Sequence, residues 1–153
     1  MMINLDTYDH QILAILQNDC SVSADQLANQ VHLSRNACWR RVKQLETSGV
    51  IRKRVALLDP QNVGCPQMVF VLIRTSSHEP GWMARFNRTV QSLPEIVGAH
   101  RLTGELDYIL TVRVADVAAY DQFYKRLIAK VPVSDISASF VMESMKDTTA
   151  LPL

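Results

Sequence analysis

No stretch of this 153-residue sequence is apolar for the roughly 18 residues that a membrane span requires. The first ten residues, MMINLDTYDH, lack the basic region and apolar run of a secretory signal, so we expect a cytoplasmic protein with no membrane partner. Internal repeats and low-complexity tracts are also absent. With 48% hydrophobic and 20% charged residues, the chain can build a real core as one ordinary domain or two small ones.

Signals of catalysis are equally sparse. The three cysteines, Cys20, Cys38 and Cys65, are odd in number and lack metal-ligand spacing, which argues against a disulfide scaffold. Neither G-x-x-x-x-G-K nor G-x-G-x-x-G occurs, and the four histidines are scattered. We therefore predict no catalytic residues, no cofactor and no metal, although a site assembled from distant residues stays open because such sites are recognised by geometry.

The charge that the sequence does contain is unevenly placed. Residues 34–54, SRNACWRRVKQLETSGVIRKR, hold seven Lys or Arg and one acid, a net +6, whereas residues 1–33 hold four acids and no Lys or Arg, a net −4. The overall net charge of +1 hides this polarity. A concentrated basic segment is typical of contact with nucleic acid, and the alternative for the segment alone is a solvated charged helix face.

The basic segment is predicted to begin with a helix that has one apolar side. Ser34 suits an N-cap and Gly49 suits the position after the helix end. At 100° per residue, Cys38, Val42 and Leu45 fall on one side and Asn36, Arg40, Lys43 and Thr47 on the other. One face can therefore be buried while the opposite face reaches DNA.

Two shorter helices precede this one. Asp6 is a candidate N-cap for the first, and Ser23 with Gln26 has the form of a capping box for the second. His32 lies in the tight turn before Ser34, where glycine is common, and histidine can adopt the left-handed backbone needed there. We predict a helix-turn-helix DNA-binding domain over residues 1–59, with an exit strand at 50–59, and a linker at 60–66.

Residues 67–153 are predicted to form a ferredoxin-like domain, which makes the whole chain α+β. Strands are expected at 67–75, 96–103, 106–114 and 136–143, and helices at 82–93 and 117–130. This βαββαβ order places both helices on one face of an antiparallel sheet. Met68, Phe70 and Leu72 alternate with Val69, Val71 and Ile73, and we expect the latter three to face water in a lone domain. Covering them predicts a dimer, because no loop is long enough to do so.

The order and spacing of these motifs resemble the Lrp/AsnC family of bacterial and archaeal transcription regulators over nearly the whole chain. The matching residues are Leu33-Ser34, Arg41-Val42, Leu45-Glu46, Gly49-Val50-Ile51 and Thr103-Gly104-Glu105-Leu106-Asp107-Tyr108. The resemblance implies double-stranded DNA as a partner, a small amino-acid effector, and dimers that assemble into octamers or larger particles. Residues 38–41, 57–60 and 148–153 look most like the branch that senses cysteine. The sequence departs from the family at Arg35-Asn36, where proline is frequent, and at Cys38, where a β-branched residue is frequent.

For DNA, we expect the amide of Asn36 and the guanidinium of Arg40 to read bases. Phosphate contacts are expected from Ser34, Arg35, Lys43, Lys53 and Arg54. Trp39 borders the basic face, and partial burial against the first helix is favoured over its alternative, a DNA contact. Arg41 lies toward the apolar side, where pairing with an acid of the first helix and contact with DNA are both open.

For the effector, the turn between the second and third strands is the candidate site. The resemblance implies a loop of Thr103, Gly104, Glu105, Leu106, Asp107 and Tyr108, and Ser137 and Ser139 share a face of the last strand. Asp107 can hold an ammonium group while turn N–H groups hold a carboxylate. The alternative is that Gly104 is only a hairpin residue and Asp107 a surface charge. An architectural DNA-binding protein that senses nothing is the second functional hypothesis, and a small-molecule enzyme is a distant third.

Overall fold

The structure is a computed structural model that describes residues 4–75 and 79–153. The chain forms two compact units, Met1–Ala56 with Lys146–Leu153, and Leu57–Met145. The first is helical and the second contains a four-stranded antiparallel sheet with two helices, so the predicted α+β fold is confirmed. Within the described ranges, no helix combines the length and apolar character needed to cross a membrane.

Three helices form the first unit: α1 Thr7–Leu16, α2 Ala24–Gln30 and α3 Arg35–Thr47. Each helix begins directly after its predicted N-cap residue. Asp6 and Asp9 form a capping box at α1, as Ser23 and Gln26 do at α2, and Ser34 Oγ accepts from the Ala37 N–H at α3. These side chains satisfy N–H groups that have no partner inside a helix, which fixes the three starts locally.

The turn between α2 and α3 depends on a left-handed residue. His32 has φ of +54° and is the only non-glycine residue with positive φ in the described ranges, as the helix-turn-helix reading requires. The Leu33 N–H then donates to Ala28 O at 3.0 Å, which closes the turn. The apolar sides of the three helices meet in one core, formed by Ile12, Leu13, Leu27, Ala28, Val31, Cys38, Val42 and Leu45.

The predicted exit strand at 50–59 is wrong. No strand is present there, because no backbone hydrogen bond joins residues 52–58 to another described segment. An extended segment without a partner has none of the ladder bonds that define a strand. The apolar residues that suggested a strand, among them Val55, Leu57 and Leu58, are mostly exposed.

The predicted boundary of the second domain also differs from the compact units, since residues 146–153 group with the helical unit. The side chain of Gln17, just after α1, explains this grouping. Its Nε2 donates to Leu151 O at 3.0 Å, and its Oε1 accepts from the Leu151 N–H at 2.8 Å. The two bonds hold the chain end much as a neighbouring strand would.

The second unit has the predicted βαββαβ order. Its elements are β1 Gln67–Arg74, α4 Pro80–Ser92, β2 Ile96–Arg101, β3 Tyr108–Val114, α5 Val117–Lys130 and β4 Asp135–Phe140. The strands lie in the order β2-β3-β1-β4, and every neighbouring pair is antiparallel. The connection between β2 and β3 is longer than the predicted tight turn and comprises residues 102–107.

The expectation that Val69, Val71 and Ile73 face water is wrong. All three are fully buried in the core that α4 and α5 form with the sheet. Their alternating neighbours on β1, Met68, Phe70 and Leu72, are half-buried on the opposite face. Alternation shows that two apolar faces exist, but it does not show which face the helices cover.

Candidate DNA interface and ligand loop

Helix α3 presents a polar stripe on the side opposite its buried residues. Cys38, Val42 and Leu45 are buried, and the predicted stripe of Asn36, Arg40, Lys43 and Thr47 is exposed. Burial raises the pKa of the Cys38 thiol, so this cysteine stays protonated as a small core residue. Trp39 is 58% exposed, which leaves most of its ring available to a partner.

Arg41 is held by α1. Its Nη1 lies 2.7 Å from Asp6 Oδ2 and 2.9 Å from Asp9 Oδ1, and its guanidinium carbon lies 5.3 Å from the centre of the Tyr8 ring. Hydrogen bonds to Asp9 and then Asp6 raise the pKa of Arg41. Of the two roles left open for Arg41, the structure shows internal pairing with the first helix.

Glu46 forms ion pairs with two of the side chains that are predicted to contact phosphate. Its carboxylate accepts from Lys43 Nζ at 2.8 Å and from Arg54 Nη2 at 3.0 Å. The hydrogen bond from Lys43, with the nearby Arg54 charge, lowers the pKa of Glu46 against a smaller opposing effect of burial. The acid is therefore ionised at neutral pH and cancels part of the positive charge beside α3.

The other cations of residues 34–54 differ in whether they form an ion pair with an acid. Arg35 Nε lies 3.4 Å from Asp25 Oδ1, with both side chains well exposed. Arg40, Arg52 and Lys53 are exposed and form no ion pair within residues 4–75 and 79–153. Arg52 was not among the predicted contacts, because nothing in the sequence distinguishes it from its neighbours.

The ligand loop, residues 102–107, is fastened to the end of β1 by backbone bonds. The Leu102 N–H donates to Asp107 O at 2.8 Å, and the Asp107 N–H donates to Ile73 O at 3.0 Å. The Asp107 side chain joins the same end of β1, because its Oδ2 accepts from the Thr75 N–H at 2.8 Å. Asp107 is thus part of the architecture of the loop and not only a surface charge.

Gly104 has φ of +116° at the loop tip, a backbone conformation that other residues rarely adopt. Thr103 and Glu105 beside it are exposed, Leu106 is half-buried, and Tyr108 is buried in the core. Arg74, which is not among the predicted site residues, donates from Nε to Glu105 O at 3.0 Å. This bond joins residues 31 positions apart and leaves no local signal in the sequence.

Ser137 and Ser139 share one face of β4, as predicted. They pair with Leu72 and Phe70 on β1, so they lie on the face opposite α4 and α5. β1 separates β4 from β3 in the sheet, and within this chain the serines are therefore not adjacent to the loop through strand pairing. Among the described residues, no three His, Cys, Asp or Glu side chains are grouped so that they could hold a metal ion.

Comparison with known proteins covers both units. Residues 5–52 match the winged helix-turn-helix DNA-binding family, and residues 68–151 match the Lrp/AsnC ligand binding domain. The DNA-binding transcriptional activator DecR of Escherichia coli K12 is 47% identical over 150 residues, which is 97% of this chain and 99% of DecR. An AsnC family transcriptional regulator from Agrobacterium tumefaciens has 50% identity and a TM-score of 0.94 over 97% of each chain. A transcriptional regulator from Neisseria meningitidis, solved with L-methionine, has 34% identity and a TM-score of 0.93 over 97% of each chain.

A basic helix-turn-helix followed by a ligand-binding domain defines a DNA-binding transcriptional regulator. Both domain matches, their order and the near-complete coverage of the relatives agree with that class. The chain belongs to the Lrp/AsnC family.

Proposed function

We propose that α3 enters the major groove of DNA and that a dimer places two copies of α3 in successive grooves, about 34 Å apart. Asn36 and Arg40 read base edges, and Ser34, Arg35, Lys43, Lys53 and Arg54 contact phosphates. Arg52 is added to the phosphate contacts, and Trp39 borders the interface. The observation that supports this best is that Arg40, Arg52 and Lys53 are exposed and have no acid to neutralise them in the described ranges.

Removing the charge of Glu46 is expected to tighten DNA binding. Glu46→Gln keeps the size of the side chain, releases Lys43 and Arg54 for phosphates, and removes a negative charge that repels them. Because exposed ion pairs contribute at most about 1 kcal/mol, we expect a gain of roughly fivefold per subunit. Fluorescence anisotropy with a duplex selected in vitro by the wild-type protein measures it.

Asp121→Asn is the matched control, because Asp121 forms an exposed ion pair with Lys125 on α5 in the other unit. It should leave DNA affinity unchanged. Equal or weaker binding by Glu46→Gln would show that Lys43 and Arg54 do not contact DNA.

We further propose that the ligand loop binds a small amino acid and that the amino acid is cysteine. The match of residues 68–151 to a ligand-binding domain and the L-methionine complex of the Neisseria relative support the ligand class. The resemblance of residues 38–41, 57–60 and 148–153 to the cysteine-sensing branch supports cysteine. Carboxylate oxygens accept several hydrogen bonds, so the bond from Thr75 is compatible with an ammonium contact at Asp107.

Self-association completes the proposal. The face of β1 that α4 and α5 leave uncovered carries Met68, Phe70 and Leu72, and large apolar side chains favour burial by about 1.5 to 3 kcal/mol each. A second copy of the chain would cover this face, and dimers would assemble further into octamers or larger particles. Ligand binding then acts by favouring one assembly or domain placement over another.

A thermal-shift screen of the twenty amino acids tests the ligand. At 100 times its Kd, a ligand stabilises the folded state by about 2.7 kcal/mol, which raises Tm by roughly 5 to 10 °C for a chain of this size. We expect L-cysteine to give the largest shift. If no amino acid raises Tm while DNA is still bound, the protein is an architectural DNA-binding protein and the sensing proposal fails.

A further inference from the structure

Arg74 is the last residue of β1 and lies beside the ligand loop. Val69, Val71 and Ile73 point into the core, so alternation places Arg74 on the opposite face with Phe70 and Leu72. Its cross-strand partner on β4 is Asp135, and Ser137 lies two residues further along the same face of β4. A cation, the loop and a serine hydroxyl therefore lie at one end of one face of the sheet.

Both ends of Arg74 are fixed. Its carbonyl oxygen accepts from the Ser134 N–H at 3.1 Å and from Ser134 Oγ at 2.8 Å. At the other end, its Nε donates to Glu105 O in the loop at 3.0 Å. Two anchor points orient the guanidinium without using its two terminal NH₂ groups.

No carboxylate neutralises this cation in the described ranges. Three acids lie close in the fold: Asp135 across the strand pair, Glu105 in the loop and Asp107 at its end. Arg74 nevertheless forms no ion pair within residues 4–75 and 79–153, and Glu105 contacts it through the backbone carbonyl alone. The guanidinium is oriented by the protein while its charge is left for another anion.

We propose that Arg74 binds the carboxylate of the effector amino acid through its terminal NH₂ groups. This inference rests on the proposed function of the ligand loop and assigns the group that recognises the acid end of the ligand. A planar guanidinium matches a carboxylate with two parallel hydrogen bonds, which an ammonium group cannot reproduce. The ligand ammonium is left to Asp107, the last residue of the loop, whose carboxylate also accepts from the Thr75 N–H.

Calorimetric titration of the full-length protein tests the assignment with L-cysteine and cysteamine, which lacks the carboxylate, in a buffer with a phosphine reductant. L-Methionine and 3-(methylthio)propylamine are titrated in parallel. Arg74→Met is expected to weaken binding of the amino acid by about 10- to 100-fold, the usual size of a lost hydrogen bond to a charged group. The affinity of Arg74→Met for the amine should stay within twofold of the wild-type value. The amino-acid affinity of Arg74→Lys should fall between those of the wild type and Arg74→Met, because lysine keeps the charge but loses the two parallel hydrogen bonds.

Arg85→Met is the matched control, an exposed arginine on α4 with no ion pair in the described part of the chain. Unchanged amino-acid affinity in Arg74→Met would overturn the role of Arg74 and leave the proposed function intact. An equal loss of affinity for the amino acid and for the amine in Arg74→Met would also overturn this role, since Arg74 would then act by positioning the loop. If the wild-type protein binds neither amino acid in titration and none of the twenty raises its Tm, the sensing function itself fails and the inference fails with it.

Discussion

Replacing Arg40, Arg52 and Lys53 together with alanine is expected to lower affinity for a selected DNA duplex by on the order of 100-fold or more at near-physiological salt. These are the exposed cations of residues 34–54 that form no ion pair with another described residue. They therefore approach DNA without first breaking an internal contact. Arg52 and Lys53 are the phosphate contacts among the three. Each lost phosphate contact should reduce the dependence of log affinity on log salt by about one, so the slope should fall by about two per subunit.

The same measurement separates the three residues. Arg40 lies on the exposed stripe of α3, and its loss should also relax base preference, because a guanidinium that reads guanine contributes about 1 to 3 kcal/mol of discrimination. Arg52 and Lys53 follow the helix, and their loss should weaken all sequences alike. Competition between the selected duplex and a scrambled duplex distinguishes the two outcomes.

The control is a double variant, Arg85→Ala with Arg88→Ala, which removes two exposed cations of α4 that also have no ion pair in the described ranges. It should change neither the affinity nor the salt slope by a comparable amount. A similar loss in both variants would mean that overall charge governs binding, and that α3 is not the interface.

The helical unit was predictable because its signals are local. Asp6, Ser23 and Ser34 cap helices through side chains that reach only three residues along the chain, and the left-handed conformation at His32 follows from the closeness of two helices. Such contacts can be recognised from spacing alone. The conformation of residues 50–59 was not predictable in the same way. A strand there requires a neighbouring strand to hydrogen-bond with, and none of the described segments provides one.

The sheet was predictable in order but not in orientation. The order of strands and helices follows from the spacing of apolar residues, which repeats about every 3.6 residues in a helix and every 2 in a strand. Which face of β1 meets the helices depends on contacts with α4 and α5, and alternation does not encode those contacts. The same limit applies to the ligand loop. Asp107 was singled out by resemblance, but its bond to Thr75 and the bond from Arg74 to Glu105 join distant segments and emerge only in three dimensions.

Phe123→Ala is expected to destabilise the ligand-binding unit by about 3 to 5 kcal/mol. Phe123 is fully buried on α5 in the core shared with β1 and β3, so its removal leaves a cavity that the rigid sheet cannot fill. A domain is typically stable by only about 5 to 15 kcal/mol, so most molecules would remain folded but a large part of the margin would be lost. Phe140→Ala is the matched control, because Phe140 is 36% exposed and contacts Tyr120 edge-on, and its loss should be less than half as large.

The sequence supplies a reporter for this measurement. It contains two tryptophans, Trp39 in the helical unit and Trp82 in the ligand-binding unit, so Trp39→Phe leaves Trp82 as the sole fluorescent indole. Trp82 is 8% exposed, stacks on Phe86 with ring centres 5.0 Å apart, and donates from Nε1 to Pro132 O at 2.7 Å, so unfolding moves it from an apolar site into water. Urea titration in the Trp39→Phe background, at fixed protein concentration because self-association would shift the midpoint, should show a much lower midpoint for Phe123→Ala. A midpoint within the range of the Phe140→Ala control would mean that the core of this unit relaxes around the missing ring, and that α5 is not rigidly packed on the sheet.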